Sequence, residues 1–133
     1  MKKKLRNTSV KSLLKKADSL YSKWLRTSSL KNGYLTCCTC GMIGSYEEFD
    51  CGHYISREVK ILRFDPRNTA PQCQSCNRFK EGKKDEFALY LIKKYGKNIL
   101  QNLNKEKWMP FKFDWLYLQG VIIDLEEKLK KLS

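Results

Sequence analysis

Two Cys-x-x-Cys pairs, Cys37/Cys40 and Cys73/Cys76, bracket His53, the one histidine of the chain. Two asparagines follow it, Asn68 and then Asn77, the latter directly after the second pair. Four thiolates in two such knuckles form a tetrahedral zinc site, which can hold together a fold with little core of its own. A lone imidazole between the knuckles, with amide side chains behind it, predicts a second, catalytic site beside the structural one. Cys38 and Cys51 read as non-ligands that behave as small apolar residues. Were one of Cys37 and Cys40 not a ligand, Cys38 would be its substitute.

These residues need elements to position them. Apolar residues at Val10, Leu13, Leu14, Ala17, Leu20, Tyr21, Trp24 and Leu25 predict a helix from about Thr8 to Leu30, with Thr8 or Ser9 as N-cap and Gly33 soon after its end. Residues 34–46 contain the first knuckle and read as a turn or rubredoxin-like hairpin. Phe49–Ile55 suits a strand carrying His53, and Lys60–Pro71 a loop with Asn68 that returns through a short second strand. The second knuckle opens a short helix over Gln74–Lys80. Residues 85–95 predict a helix stopped by Gly96, with another from about Lys97 to Lys105. Asp114 is the N-cap of a last helix running to Leu132. Its Trp115, Leu118, Ile122, Leu125, Leu129 and Leu132 fall at a/d spacing, as do Val10, Leu13, Ala17, Leu20 and Trp24 of the first helix. Neither stripe reaches three heptads, so packing within the chain is preferred over a coiled coil between chains. The expectation is an α+β fold in three segments: a basic N-terminal helix over 1–33, a zinc-stapled core over 34–96, and a C-terminal helical segment over 97–133.

The 133 residues include 27 Lys/Arg and 14 Asp/Glu, a net charge of +13. Up to residue 46 the only acid is Asp18. Such clustering is the electrostatic footprint of a polyanion binder, with nucleic acid as the expected partner rather than a merely solvated surface. The start, MKKKLRNTSVKS, is basic but leads into no apolar h-region, and no apolar run approaches a membrane span. A reducing cytoplasm is therefore expected, where six cysteines favour metal ligation over disulfides.

The order strand with His53, loop with Asn68, helix start with Asn77, all stapled by zinc, resembles the HNH, or ββα-metal, nuclease fold. The stretches CGHYISR (51–57), LRFDPRN (62–68), PQCQSCNRFKEG (71–82) and LYLIKKYG (89–96) resemble more closely the phage NinG (Rap) recombination proteins. That resemblance covers residues 34–96. It implies a phage-encoded, metal-dependent endodeoxyribonuclease acting on branched recombination intermediates in the bacterial cytoplasm, such as Holliday junctions or D-loops. Partner recombination proteins of phage or host are also implied.

In this reading His53, with an ordinary pKa near 6.5, is the general base that takes the proton of an attacking water. Charge building on the phosphate calls for a divalent cation, Mg²⁺ or Mn²⁺. Asn77, at the family's final motif position, would ligate that ion, and Asn68, at the middle position, would hold the His-bearing strand in place. Arg57, Arg63, Arg67, Arg78 and Lys80 flank these residues and are expected on DNA phosphates. The same residues also admit plainer roles: His53 as a zinc ligand or core residue, Asn68 capping the turn after Asp65-Pro66, and Asn77 as an N-cap beside the knuckle.

One position departs from the resemblance. HNH enzymes usually carry an acid or histidine directly before the catalytic histidine, as a second ligand to the ion, and here that position is Gly52. Asp50 shares a strand face with Gly52 but lies about 6.6 Å back, within reach through a water or a bulge. Asp65 and Glu81 are the alternatives. A junction cut in pairs would suit a twofold dimer, for which the a/d helices offer an interface. Two other functions stay open: a non-catalytic zinc-ribbon DNA-binding module, and a sequence-specific HNH nuclease of a mobile element.

Overall fold

In a computed structural model describing residues 2–133, with side chains described from Val10 onward, the elements alternate between long helices and very short strands. Helix α1 spans Lys2–Ser29. It starts earlier than the apolar periodicity indicates, so Thr8 and Ser9 fall inside it and neither is its N-cap. Its end is capped by its own serines, since Ser29 Oγ donates to the Leu25 carbonyl at 2.6 Å. The turn at Asn32-Gly33, both at positive φ, then reverses the chain.

The first knuckle sits in a minimal hairpin of β1 (Leu35–Thr36) and β2 (Ile43–Gly44). Strands β3 (Phe49–His53) and β4 (Thr69–Cys73) pair antiparallel, with His53 opposite Thr69 and Gly52 opposite Ala70. Strand β3 stops at His53 rather than Ile55 because the chain peels away around Asn68, and β4 is as long as β3. After β4 the second knuckle enters a π-helical turn, Ser75–Phe79, in place of an ordinary helical turn. Helices α2 (Lys84–Tyr95), α3 (Ile99–Glu106) and α4 (Trp115–Leu132) follow. Asp114 caps α4 as expected, its carboxylate accepting the Tyr117 N–H at 2.9 Å.

Buried residues form three clusters among the described side chains. Leu62, Ala70, Phe87, Leu91, Ile99 and Leu103 join α2 and α3 to β4. Leu35, Cys37, Phe49, Cys73 and Cys76 surround the knuckles. Ala17, Leu118 and Ile122 seal α1 against α4, with Val10, Leu13 and Leu20 alongside. The two a/d stripes therefore face each other inside one chain, and the surface offered for a dimer is covered. Burying such stripes supplies what helix propensity cannot, because isolated helices of this composition are marginal in water. Tyr21 and Leu25, one and two turns beyond Ala17, are buried too, and the Tyr21 hydroxyl lies 2.7 Å from Thr69 Oγ1 on β4. Helix α1 is thereby fixed across the β3–β4 hairpin.

Candidate functional site

The four knuckle thiols converge. Cys37, Cys40, Cys73 and Cys76 offer sulfurs all within 4.8 Å of one another, and Cys40 Sγ lies 3.7 Å from Cys73 Sγ. A tetrahedron with metal–sulfur bonds of ~2.3 Å has edges of ~3.8 Å, so the cluster can bind a metal such as zinc. Burial raises the Cys37 thiol, but Thr39 Oγ1 and the backbone N–H groups of Cys40 and Cys73 outweigh it and bring its pKa down to about 6. Cys73 is pushed up to about 12, first by burial and then by its sulfur neighbours. Four thiols this close cannot all ionise without a cation among them, and a divalent metal supplies that charge. Cys38 and Cys51 stand outside the cluster; burial pushes both thiols up, Cys51 to about 12.

His53 lies elsewhere, in a cleft of about 570 Å³ along the edge of β3 that β4 leaves unpaired. The cleft brings together His53, Asp50, Asn77, Arg57 and Arg63 of the expected residues, and adds Asp18, Tyr21 and Lys84. Nε2 of His53 is 2.9 Å from the Arg63 carbonyl oxygen. A carbonyl only accepts, so Nε2 carries the proton and Nδ1 is left as the basic nitrogen. Burial lowers the His53 pKa to about 4, even though the Arg63 carbonyl favours the charged ring. The imidazole is therefore neutral at pH 7.

Asn68 is fully buried behind this strand and lies outside the cleft. Its Oδ1 accepts the Ile55 N–H at 2.8 Å, and its Nδ2 donates to the carbonyls of Ile55 at 2.9 Å and Leu62 at 3.3 Å. One amide thus closes the 54–68 loop, in which Arg63, next to Leu62, holds the His53 ring.

The arginines divide. Arg63 gives Asp18 a bidentate pair, at 2.9 and 2.5 Å, while its carbonyl holds His53. Arg67 forks between Asp65 and Glu106, tying the 66–68 turn to α3. Neither presents a free guanidinium. Arg57 reaches Asp18 only at 4.0 Å and is largely exposed. Arg78 and Lys80 are exposed and do not line the cleft; Arg78 binds both oxygens of the cleft residue Asp50 at 2.8 and 2.9 Å.

Asp50 also accepts Asn77 Nδ2 at 2.9 Å. Burial opposes its ionisation, yet Arg78 and Asn77 hold its carboxyl below the usual carboxylate range. Asp65 caps the turn before Asn68, Glu81 sits exposed at positive φ, and neither lines the cleft. Among the described residues, no three His, Cys, Asp or Glu side chains other than the knuckle cysteines come within reach of one ion. As they stand, Asp50 and Asn77 do not make a divalent-cation site, and the expected Mg²⁺ or Mn²⁺ has no support in this arrangement.

Gly52 has a spatial cause. A Cβ there would stand 2.4 Å from Gln72 Oε1, the diagonal neighbour across the hairpin. Gln72 is itself fully buried, with Nε2 donating to the Gly82 carbonyl at 2.7 Å and to Thr39 Oγ1 at 3.2 Å.

A family profile described as Bacteriophage Lambda NinG protein matches residues 1–133. The chain belongs to the NinG family. Protein ninG of Escherichia phage 933W is 35% identical over 79 residues, 56% of this chain and 39% of that relative. Protein ninG of Escherichia phage lambda is 34% identical over 79 residues, covering 56% and 38%. Protein ninG of Salmonella phage P22 is 38% identical over 63 residues, covering 47% and 30%. The matches thus span about two fifths or less of the length of these curated relatives. No solved structure matches this chain. No helix of this NinG protein, among the described residues, is long and apolar enough to cross a membrane.

Three residues of the NinG cleft escaped sequence reasoning. Asp18 carried one signal, being the single acid in a strongly basic stretch, where a carboxylate is expected to have a structural partner. Tyr21 reads only as one more apolar position of α1. Lys84, whose Nζ donates to the His53 carbonyl, gave no signal at all.

Proposed function

We propose that this NinG protein is a zinc-stabilised HNH-type, or ββα-metal, endonuclease that hydrolyses phosphodiester bonds in branched DNA during recombination. One observation carries the reading: His53, alone of its kind, lines a basic cleft with Nε2 committed to the Arg63 carbonyl, so its neutral Nδ1 is the available base. In that role Nδ1 takes the proton of a water as it attacks the phosphorus, leaving the 5′-phosphate and 3′-hydroxyl ends that the family resemblance implies. Arg57 and Lys84 supply positive charge to the phosphate, and Arg78 joins them where a phosphate competes for its fork. Asn68 acts at one remove, by holding the loop that orients the ring. Zinc bound by the four cysteines would tie the β1–β2 hairpin to the Cys73 end of β4. Recognition of a junction rests on shape and phosphate charge. A twofold dimer on such a junction would need a surface other than the α1–α4 seam.

A second reading, a DNA-binding module without catalysis, is favoured by the grip of Arg78 and Asn77 on Asp50. The two separate in one assay: cleavage of a labelled four-way junction and its matched linear duplex, with Mg²⁺ or Mn²⁺ supplied, by wild type and zinc-replete His53→Ala. The nuclease reading expects junction-selective cutting that falls ~100-fold or more in the variant while binding is kept. Tight junction binding by wild type with no cutting under either ion supports the binding module.

A further inference from the structure

A second groove, of about 580 Å³, lies on the other side of the segment that walls the cleft. Ser56 and Arg57 line the cleft, and Glu58 to Ile61 line the groove, so the two are continuous along one stretch of backbone. The far wall comes from the irregular strap between α3 and α4, residues 107–113, whose Lys107, Met109, Phe111 and Phe113 line the groove while Trp108 stands outside it.

The strap's aromatic residues do two different jobs. Phe113 is 5.8 Å from the Tyr117 ring and Phe111 meets the same ring edge-on at 4.9 Å, which anchors the strap to α4. Trp108 is 80% exposed and Met109 56% exposed, so the outer apolar surface has no packing role in the chain. Lysines interleave with the rings: Lys107 Nζ lies 5.2 Å over Trp108, and Lys60 Nζ 5.1 Å over Phe113. Of the neighbouring acids, Glu106 is held by Arg67 and Asp114 caps α4, which leaves Glu58 as the one carboxylate lining the groove. Flat rings for bases, with cations between them for phosphates, are what unpaired nucleotides require. A wholly apolar partner would leave these lysines desolvated.

We infer that this groove, together with the exposed Trp108 ring of the same strap, binds unpaired DNA, with the backbone passing Lys107 and Lys60 on its way from the cleft and a base stacked on Trp108. This rests on the DNA-cutting reading only for the direction of the strand. Its consequence is selectivity: a fork or junction that frees nucleotides beside the cut fills both sites, whereas an intact duplex fills one.

The test is fluorescence anisotropy, without divalent ions, on a labelled oligothymidylate, a forked duplex and a matched linear duplex. Wild type is compared with Trp108→Ala, Trp108→Phe and Lys107→Gln. One lost base stack weakens binding by about five-fold or more. Trp108→Ala should therefore lose that much on the oligonucleotide and the fork, keep its duplex affinity, and be rescued by Trp108→Phe. Lys107→Gln should shallow the salt dependence on the oligonucleotide by roughly 0.7 in log–log slope. Because Trp108 is exposed, its variants keep the fold, which circular dichroism checks. Equal affinities of wild type and Trp108→Ala on the fork would overturn the inference and mark the strap as a protein-docking surface; so would equal losses on fork and duplex. Nuclease failure reads separately. Fork binding that depends on Trp108, without any cutting, keeps this site and removes the proposed activity; cutting that ignores Trp108 does the reverse.

Discussion

Replacing Gly52 by alanine tests whether the residue before His53 is glycine for want of space. Gly52 is not at positive φ, so backbone freedom is no reason for it. The added Cβ would meet Gln72 Oε1 at 2.4 Å and Gln72 Cβ at 2.9 Å, both inside the closest contact that real side chains adopt. Gln72 cannot swing aside cheaply. It is fully buried, its Nε2 is bonded to the Gly82 carbonyl and Thr39, and its Cβ moves only with β4. Overpacking of this kind costs about 1–3 kcal/mol. Loosening a Gln72 hydrogen bond adds about 1 kcal/mol. The alanine regains about 0.5–1 kcal/mol of strand preference. The net expectation is a loss of about 1–3.5 kcal/mol, measured by urea unfolding with an unchanged m-value. The cause is then isolated by the pair. Gln72→Ala removes the Oε1 contact, so the double variant should be more stable than the sum of the singles by about 1 kcal/mol or more. A Gly52→Ala cost under about 0.5 kcal/mol, or strict additivity, would refute the steric account.

The remaining predictions concern the site. His53, lowered to about 4, stays basic at pH 5.5, where an imidazole at 6.5 would have lost about nine tenths of its base form; a cleavage rate that halves near pH 6.5 would contradict the burial argument. The same shift means the unfolded chain binds more protons between the two values, so stability should fall as pH drops from about 6.5 towards 4, by at most about 3 kcal/mol, and His53→Gln should remove that slope. Asn68→Ala leaves the Ile55 amide and two carbonyls unpaired in a site with no solvent access, for an expected loss of about 3–5 kcal/mol by chemical denaturation. Asp18→Ala strips the partner from the largely buried Arg63 fork, and should cost about 2–3 kcal/mol, well above an exposed ion pair. In zinc-loaded protein, adding a chelator, or the substitution Cys73→Ser, should lower thermal stability by more than the ~1–3 kcal/mol of an ordinary core substitution, read by thermal unfolding.

The legible parts of the fold were those set by local chemistry. Knuckle spacing alone selected the four converging sulfurs and left Cys38 and Cys51 out. Asp114, Gly96 and the apolar periodicity placed α2 and α4 within a residue or so. Less legible were the elements governed by contacts far apart in sequence. The ends of β3 depend on Asn68, fifteen positions beyond His53, and the turn through the second knuckle, Ser75–Phe79, is π-helical where the sequence indicated an ordinary short helix. Among the basic residues, nothing in the spacing separates Arg57, which is open to a ligand, from Arg63 and Arg67, which are committed to carboxylates. Their partners, Asp18 and Glu106, sit 45 and 39 positions away.

The sequence by itself determined the family, the basic character, the four cysteines that converge and the single imidazole, because each is a matter of residue type and short-range spacing. Only the tertiary structure decided what surrounds that imidazole. Packing α1 across the β3–β4 hairpin brings in Asp18 and Tyr21, while the Arg63 carbonyl chooses the tautomer of His53 and burial sets its pKa. Gln72 fills the space that a side chain at position 52 would occupy. Those outcomes come from burial and excluded volume between distant segments, which residue spacing along the chain does not encode.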